Sequence, residues 1–351
     1  MKKKLNFIAS NLSGKGGTET VLIKVLNQLV TERSIQLTLI DDPKDKNWLS
    51  KLDKNITVKI CKRKNPITKL LFVVREFIFN KNCNHISLSP KVLKVGSKLR
   101  KIMNLNYKLI SWIHFSLKDQ DMFDPRNLLY ADFHLAISSV IEKQLISMGI
   151  KKENIKLILN PVEICETLPK NQDGRADFFY AGRVMYSGQK NLKELFLGIS
   201  KVTNLDLHLN IYGTGNDLDK CKKYSEQLGI ADKITWHGWT ENLWEEIKER
   251  PTALIMTSKY EGLPMIMLES IARGIPVVST KFAGYEDILR DGENSYTYSQ
   301  GDINGLIRAM ADVANTSLSP ECIKKSIEKY YPEKYFKKLK ESLECFENNN
   351  L

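Results

Sequence analysis

The amino-acid sequence predicts an α/β protein of two doubly wound domains with a cleft between them. Three observations lead there. Short apolar strands alternate with stretches of helical periodicity along nearly the whole chain. The alternation is interrupted by a polar run at 169–173 and then begins again. The turns after several strands carry glycines and charged residues, which is where ligands bind in sheets of this kind.

In the first half, strands are predicted at 5–9, 36–40, 86–89, 108–113 and 133–138, with helices at 18–30, 91–103 and 139–148. A further strand at 155–159 runs into Asn160-Pro161-Val162. After the polar run come strand 177–181, helix 191–201, strand 206–211, helix 217–228 and strand 233–236. Strands 253–257 and 276–279 follow, then helices at 302–313 and 332–346. Short continuous apolar strands separated by helices imply parallel sheets covered on both faces.

The chain has 351 residues, enough for two ordinary cores, and no apolar run long enough to span a bilayer. Its apolar start, 5–9, is too short for an export signal. Six cysteines are scattered without a Cys-x-x-Cys pair, which argues against a zinc site or a disulfide framework and fits a reducing cytoplasm. The net charge is +12, and it is concentrated. Thirteen basic residues fall between Lys59 and Lys108 against a single acid, Glu76. Such a one-signed field implies an anionic partner. No interleaving of aromatics suggests base stacking, so nucleic acid is not expected. Within this segment, 67–79 is an apolar stretch carrying Lys69 and Arg75. It reads either as a helix packed on the sheet or as one lying in a membrane interface.

The first loop, 10–18, holds Gly14, Gly16 and Gly17 between a strand and a helix, where backbone can approach a ligand closely. Asp41 and Asp42 follow the second strand as in NAD-binding folds, but the Gly-x-Gly-x-x-Gly fingerprint is missing. In the second half, Gly182-Arg183 ends a strand, and Lys190 opens a helix after a Ser-Gly-Gln turn. An arginine fork and a lysine point charge suit a diphosphate leaving group. Gly213 begins a Gly-Thr-Gly turn that fits a close pass by a nucleotide. Trp236 reads as core and Trp239 as a border to the base. His114, at a strand's carboxyl end, is a candidate to hydrogen-bond a sugar. Two Asp-x-Asp pairs, Asp119/Asp121 and Asp217/Asp219, are weak metal candidates.

The most informative stretch runs from Glu261 to Glu269. A buried strand precedes it and a Gly-Ile-Pro break follows. A helix starting near Met265 places Glu269 one turn inside and leaves Glu261 in the preceding loop. Both carboxylates then converge on one helix N-terminus, whose free N–H groups favour an anion. Carboxylates for hydroxyls beside N–H groups for phosphate suit a nucleotide-sugar.

With these residues in place, the chain resembles the GT-B glycosyltransferases of the family 4 type. Glu261 and Glu269 match that family's E-x7-E motif, and Arg183 with Lys190 its phosphate-binding pair. The gap between Arg183 and Lys190 is longer than in the wider family. The resemblance implies two Rossmann-like domains, 1–165 and 166–330, with a C-terminal helix, 331–351, crossing back to the first. It implies retaining transfer of a hexose, foremost galactose from UDP-galactose, to a lipopolysaccharide core sugar, without an essential metal or other cofactor. Glu269 would hold the ribose, and Glu261 would face the donor sugar. The segment of Gly262, Leu263, Pro264 and Met265 would offer backbone N–H groups, and Arg183 and Lys190 would stabilise departing UDP. Gly16 and Gly17 would border the donor phosphates, and the basic face at 59–108 would suit phosphorylated acceptor and an anionic membrane. That places the enzyme in the cytoplasm, peripheral on the inner membrane. The rivals are a UDP-glucose or UDP-N-acetylglucosamine transferase on another surface glycan, a nucleotide-sugar epimerase, and a non-catalytic anion-binding protein.

Overall fold

A computed structural model describes residues 3–10, 12–14, 16–115, 117, 123–171 and 174–348. The chain forms two compact units, one of Met1–Pro161 with Glu333–Leu351 and one of Val162–Pro332.

The first unit contains β1 (Leu5–Ala9), α1 (Gly17–Leu29), β2 (Ile35–Leu39), β3 (Thr57–Ile60), α2 (Pro66–Phe79), β4 (Asn84–Ser87) and α3 (Pro90–Ile102). It continues with β5 (Leu109–Ile113), β6 (Phe133–Ala136), α4 (Ser139–Ser147) and β7 (Ile155–Leu157). All seven strands are parallel, in the order β3-β2-β1-β4-β5-β6-β7. The chain winds outward from β1 and then jumps back to β4, so its direction reverses between those two strands. Strands β1, β2, β4, β5 and β6 are buried along their whole length, whereas edge strand β3 is half exposed.

The second unit contains β8 (Ala176–Ala181), α5 (Leu192–Ser200), β9 (Leu207–Tyr212), α6 (Leu218–Gln227), β10 (Ile234–Gly238), the short α7 (Leu243–Glu246) and β11 (Ala253–Met256). Then follow α8 (Met265–Ile271), β12 (Val277–Thr280), β13 (Ser295–Tyr298), α9 (Ile303–Asn315) and α10 (Pro320–Lys325). Its six parallel strands run β10-β9-β8-β11-β12-β13, so the reversal falls between β8 and β11. Phe178, Tyr180, Leu195, Phe196, Leu209 and Met310 lie in its core, with Trp236 packed against them edge-on to Phe196 at 5.9 Å.

The final helix, α11 (Pro332–Asn348), belongs to the first unit. Its Phe346 stacks on Phe133 of β6 at 4.4 Å, and Glu347 pairs with the buried Arg33 at 2.6 Å. Lys340 pairs with Glu32. All six cysteines are free thiols. No helix among the described residues is long and apolar enough to cross a membrane.

Candidate functional site

The reversal between β8 and β11 gathers the charged residues of the second unit. Residues 182–191 leave β8, fold back and tie to the loop after β11. Leu192 N–H donates to Met185 O at 3.0 Å, and Lys259 N–H to Gln189 O at 2.8 Å. The Thr257 hydroxyl donates to Lys190 O at 2.9 Å. Asn191, at φ 50°, turns the chain into α5. This folded loop returns Lys190 to the strand end despite the long gap after Arg183.

There the Lys190 ammonium meets Glu261 Oε1 at 2.6 Å, with both side chains mostly buried. Gln189 bridges the group: its Nε2 donates to Glu261 Oε2 at 3.3 Å and to Tyr260 O at 2.9 Å. Its Oε1 accepts from Arg183 Nη2 at 2.9 Å. Arg183, Gln189, Lys190 and Glu261 thus form one connected chain. Tyr180 Oη donates to Arg183 O at 2.6 Å. Burial, with the nearby Glu261 charge second, pushes the Tyr180 phenol above its ordinary pKa, so it stays a donor.

Glu269 lies on α8, one turn in, as the sequence predicts. Trp244 Nε1 donates to Glu269 Oε2 at 3.1 Å. Arg273 lies 4.0 Å from the centre of the Trp244 ring and donates to Glu269 O at 2.9 Å. Burial lowers the Arg273 pKa from its ordinary value. Pro264 corrects one expectation. It caps α8 and, having no N–H, donates nothing, which leaves Gly262, Leu263 and Met265 as the donors of that segment.

Gly213 has a structural reason beyond a nucleotide's passage. A Cβ there would stand 1.8 Å from Gly182 O, and one on Gly215 would stand 2.1 Å from Val184 O. The two strand-end loops therefore touch backbone to backbone, joined by Val184 N–H to Thr214 O at 2.9 Å. Gly213 N–H donates to Gly238 O, which brings the end of β10 into the same layer. Trp239 follows there, 45% exposed, while Trp236 is partly buried against the core. Asp217 accepts from Tyr186 N–H at 2.9 Å, which makes it an organiser of the β8 loop. Asp119 and Asp121 lie outside the described residues.

The remaining candidates lie in the first unit. Its first loop is wrapped around the buried Glu19, whose Oε1 accepts from Gly14 N–H at 2.6 Å and from Ser13 Oγ at 3.2 Å. A Cβ on Gly16 would come within 2.8 Å of Glu19 Oε2. Gly17 opens α1. His114 follows β5 with its ring edge-on to Trp112 at 4.6 Å. Burial drives its pKa down to about 3, so it is a neutral imidazole. Its buried Nε2 has no hydrogen-bond partner among the described residues. Such a group hydrogen-bonds a hydroxyl and does not act as a cation.

Gln189, Trp244 and Arg273 were not singled out for roles in the sequence. Arg273 stands four residues after Glu269, a helical spacing that could have revealed it. Trp244 reaches Glu269 across 25 residues, and no local pattern announces it.

Two parallel doubly wound sheets, with a basic pair and two carboxylates at one strand reversal, define a nucleotide-sugar-dependent transferase. Comparison with known proteins specifies the class. The family described as "Glycosyl transferases group 1" matches residues 167–330. The lipopolysaccharide 1,6-galactosyltransferase of Escherichia coli (strain K12) is 32% identical over 355 residues, 96% of this chain and 96% of that protein. Among solved structures, the apo form of the lipopolysaccharide outer core galactosyltransferase WaaB matches with a TM-score of 0.84 and 31% identity, over 98% of this chain and 99% of that one. Anabaena Alr3699/HepE in complex with UDP shares the fold at a TM-score of 0.80 and 17% identity, over 98% and 100%. The chain belongs to the group 1 glycosyltransferases, and its fold is GT-B.

Proposed function

We propose that this enzyme transfers a hexose, foremost galactose from UDP-galactose, to a sugar of a lipopolysaccharide core, with retention of anomeric configuration. The carrying observation is the connected group of Arg183, Gln189, Lys190 and Glu261 at the reversal between β8 and β11, with Glu269 on α8, the helix that follows β11. Likeness over nearly the whole of a lipopolysaccharide galactosyltransferase supports the acceptor class.

In this reading the Lys190 ammonium keeps one donor on Glu261 and turns the others to the diphosphate, joined by Arg183. Charge that develops on departing UDP meets groups already in place, each worth about 3 kcal/mol of barrier. Glu261 accepts from a donor-sugar hydroxyl, Glu269 holds the ribose, and Trp239 borders the base. Backbone N–H groups of Gly262, Leu263 and Met265 assist. These cations supply the charge neutralisation that a divalent metal provides elsewhere, so no metal is required. Roles for Gly16 and Gly17 rest on the resemblance, and that of His114 on its place after β5 with a buried Nε2 that has no partner among the described residues. The basic surface at 59–108 suits phosphorylated core and an anionic membrane, which makes the enzyme peripheral on the cytoplasmic face of the inner membrane.

The test is turnover with purified core acceptor and a panel of UDP-hexoses, with and without EDTA. We expect UDP release, an unchanged anomeric configuration by NMR, and no loss in EDTA. Absence of transfer from every UDP-hexose would refute the proposal.

A further inference from the structure

Helix α2 turns much of its apolar surface outward. A helix covering a sheet normally turns its apolar stripe inward. Here the buried residues of α2 are only Val73, Glu76 and Phe77. Glu76 Oε2 accepts from Gln36 at 2.9 Å, Lys59 at 3.1 Å and Asn80 at 3.2 Å, so it latches the helix to the polar side of β2 and β3. Phe77 stacks on Tyr107 at 5.4 Å and sits against α3 where Gly96 makes room, since a Cβ there would be 2.6 Å from its ring. The outward face carries Ile67, Leu70, Leu71, Ile78 and Phe79, exposed by 69, 48, 61, 36 and 72%. The first four lie at i, i+3, i+4 and i+11, which is one face of a helix.

The exposed charge beside this stripe is basic, and the acid next to it, Asp41, is taken up by an ion pair with Lys69 of α2. Lys62, Arg63, Lys64, Arg75 and Lys81 flank it, exposed, and the neighbouring α3 presents Lys91, Lys94, Lys98 and Lys101. The only acid between Lys59 and Lys108 is Glu76, and it is buried in its latch. A second copy docking here would bring two positive surfaces together. Nucleic acid would leave the aliphatic stripe uncovered. An anionic phospholipid bilayer satisfies both parts, with headgroups for the lysines and acyl boundary for the stripe.

We infer that α2 inserts its Ile67–Leu70–Leu71–Ile78 face into the interface of an anionic bilayer, while the α3 lysines lie on the headgroups. This deepens the membrane reading above and rests on it: charge attracts the protein, and α2 anchors it.

The experiment is co-sedimentation of the full chain with phosphatidylcholine vesicles, with or without phosphatidylglycerol, at low and high salt. Wild type should bind the phosphatidylglycerol vesicles. Leu71→Asp/Ile78→Asp should weaken binding about tenfold or more at both salt concentrations, because apolar insertion is not screened. Lys94→Gln/Lys98→Gln should weaken it at low salt only. Circular dichroism and thermal unfolding check that the variants fold, and turnover on a soluble core oligosaccharide by wild type alone reports on the transferase reading. Binding by the double-aspartate variant equal to wild type overturns insertion and leaves the electrostatic contact standing. Failure of wild type to bind anionic vesicles removes both. A wild-type dimer in sedimentation velocity that the same variant splits assigns the face to a second copy and overturns the inference.

Discussion

At the scale of single residues, the candidate site is a set of carboxylates each held by a dedicated donor. Glu261 has Lys190 and Gln189, and Glu269 has Trp244, itself stacked on Arg273. A carboxylate that must accept ribose hydroxyls loses less freedom on binding when one oxygen is already fixed. Trp244→Phe keeps the ring and removes the donor. It should weaken UDP binding about tenfold by calorimetry, the scale of a hydrogen bond to a charged group, with kcat little changed. In a Glu269→Ala background, itself weakened for UDP, the same change should add nothing. A further loss there would show that Trp244 acts through packing alone. The two glutamates were legible in the sequence because a loop, a proline and a short helix fix their spacing locally. Their partners were not, because Trp244 and Gln189 reach them through tertiary folding.

At the scale of elements, most of the strands that were legible are buried ones with continuous apolar runs, although β7 and β10 were legible while partly exposed. The two strands the sequence did not announce are β3, half exposed at an edge, and β13, whose Ser-Tyr-Thr-Tyr composition is polar. Short helices α7 and α10 were likewise silent, with too few turns to display a period. The stretch now seen as α2 was left between two readings because its apolar face looks the same whether it is turned to a sheet or away from one. Among loops, the Gly213 turn is the most constrained. At φ +145° and with Gly182 O in the way, Gly213→Ala should cost about 2–4 kcal/mol in urea unfolding and should lower turnover by displacing Arg183. Unchanged stability would mean the loops separate freely.

At the scale of the whole molecule, the first unit carries a built-in sensitivity to acid. His85, His114 and His134 are held neutral by burial, with pKa values of about 3, about 3 and about 4 against an ordinary 6.5. The unfolded chain takes up protons below that ordinary value while the folded chain does not. Their contribution to stability is therefore complete above about pH 6.5 and is lost as the pH falls toward 3. Thermal unfolding followed from pH 7.5 to 4.5 should show a falling Tm, and replacing His134 with Asn should flatten part of the slope. The compact units part at Pro161 and again at Pro332. The second crossing has a consequence for synthesis. Phe346 and Glu347 complete a layer begun by Phe133 and Arg33, so the first unit is finished by a segment that follows the whole of the second unit in the chain. The second unit, contiguous in the chain, can mature while the ribosome is still at work. The first must wait until α11 has been made, and a chain lacking α11 would have an open seam along β6.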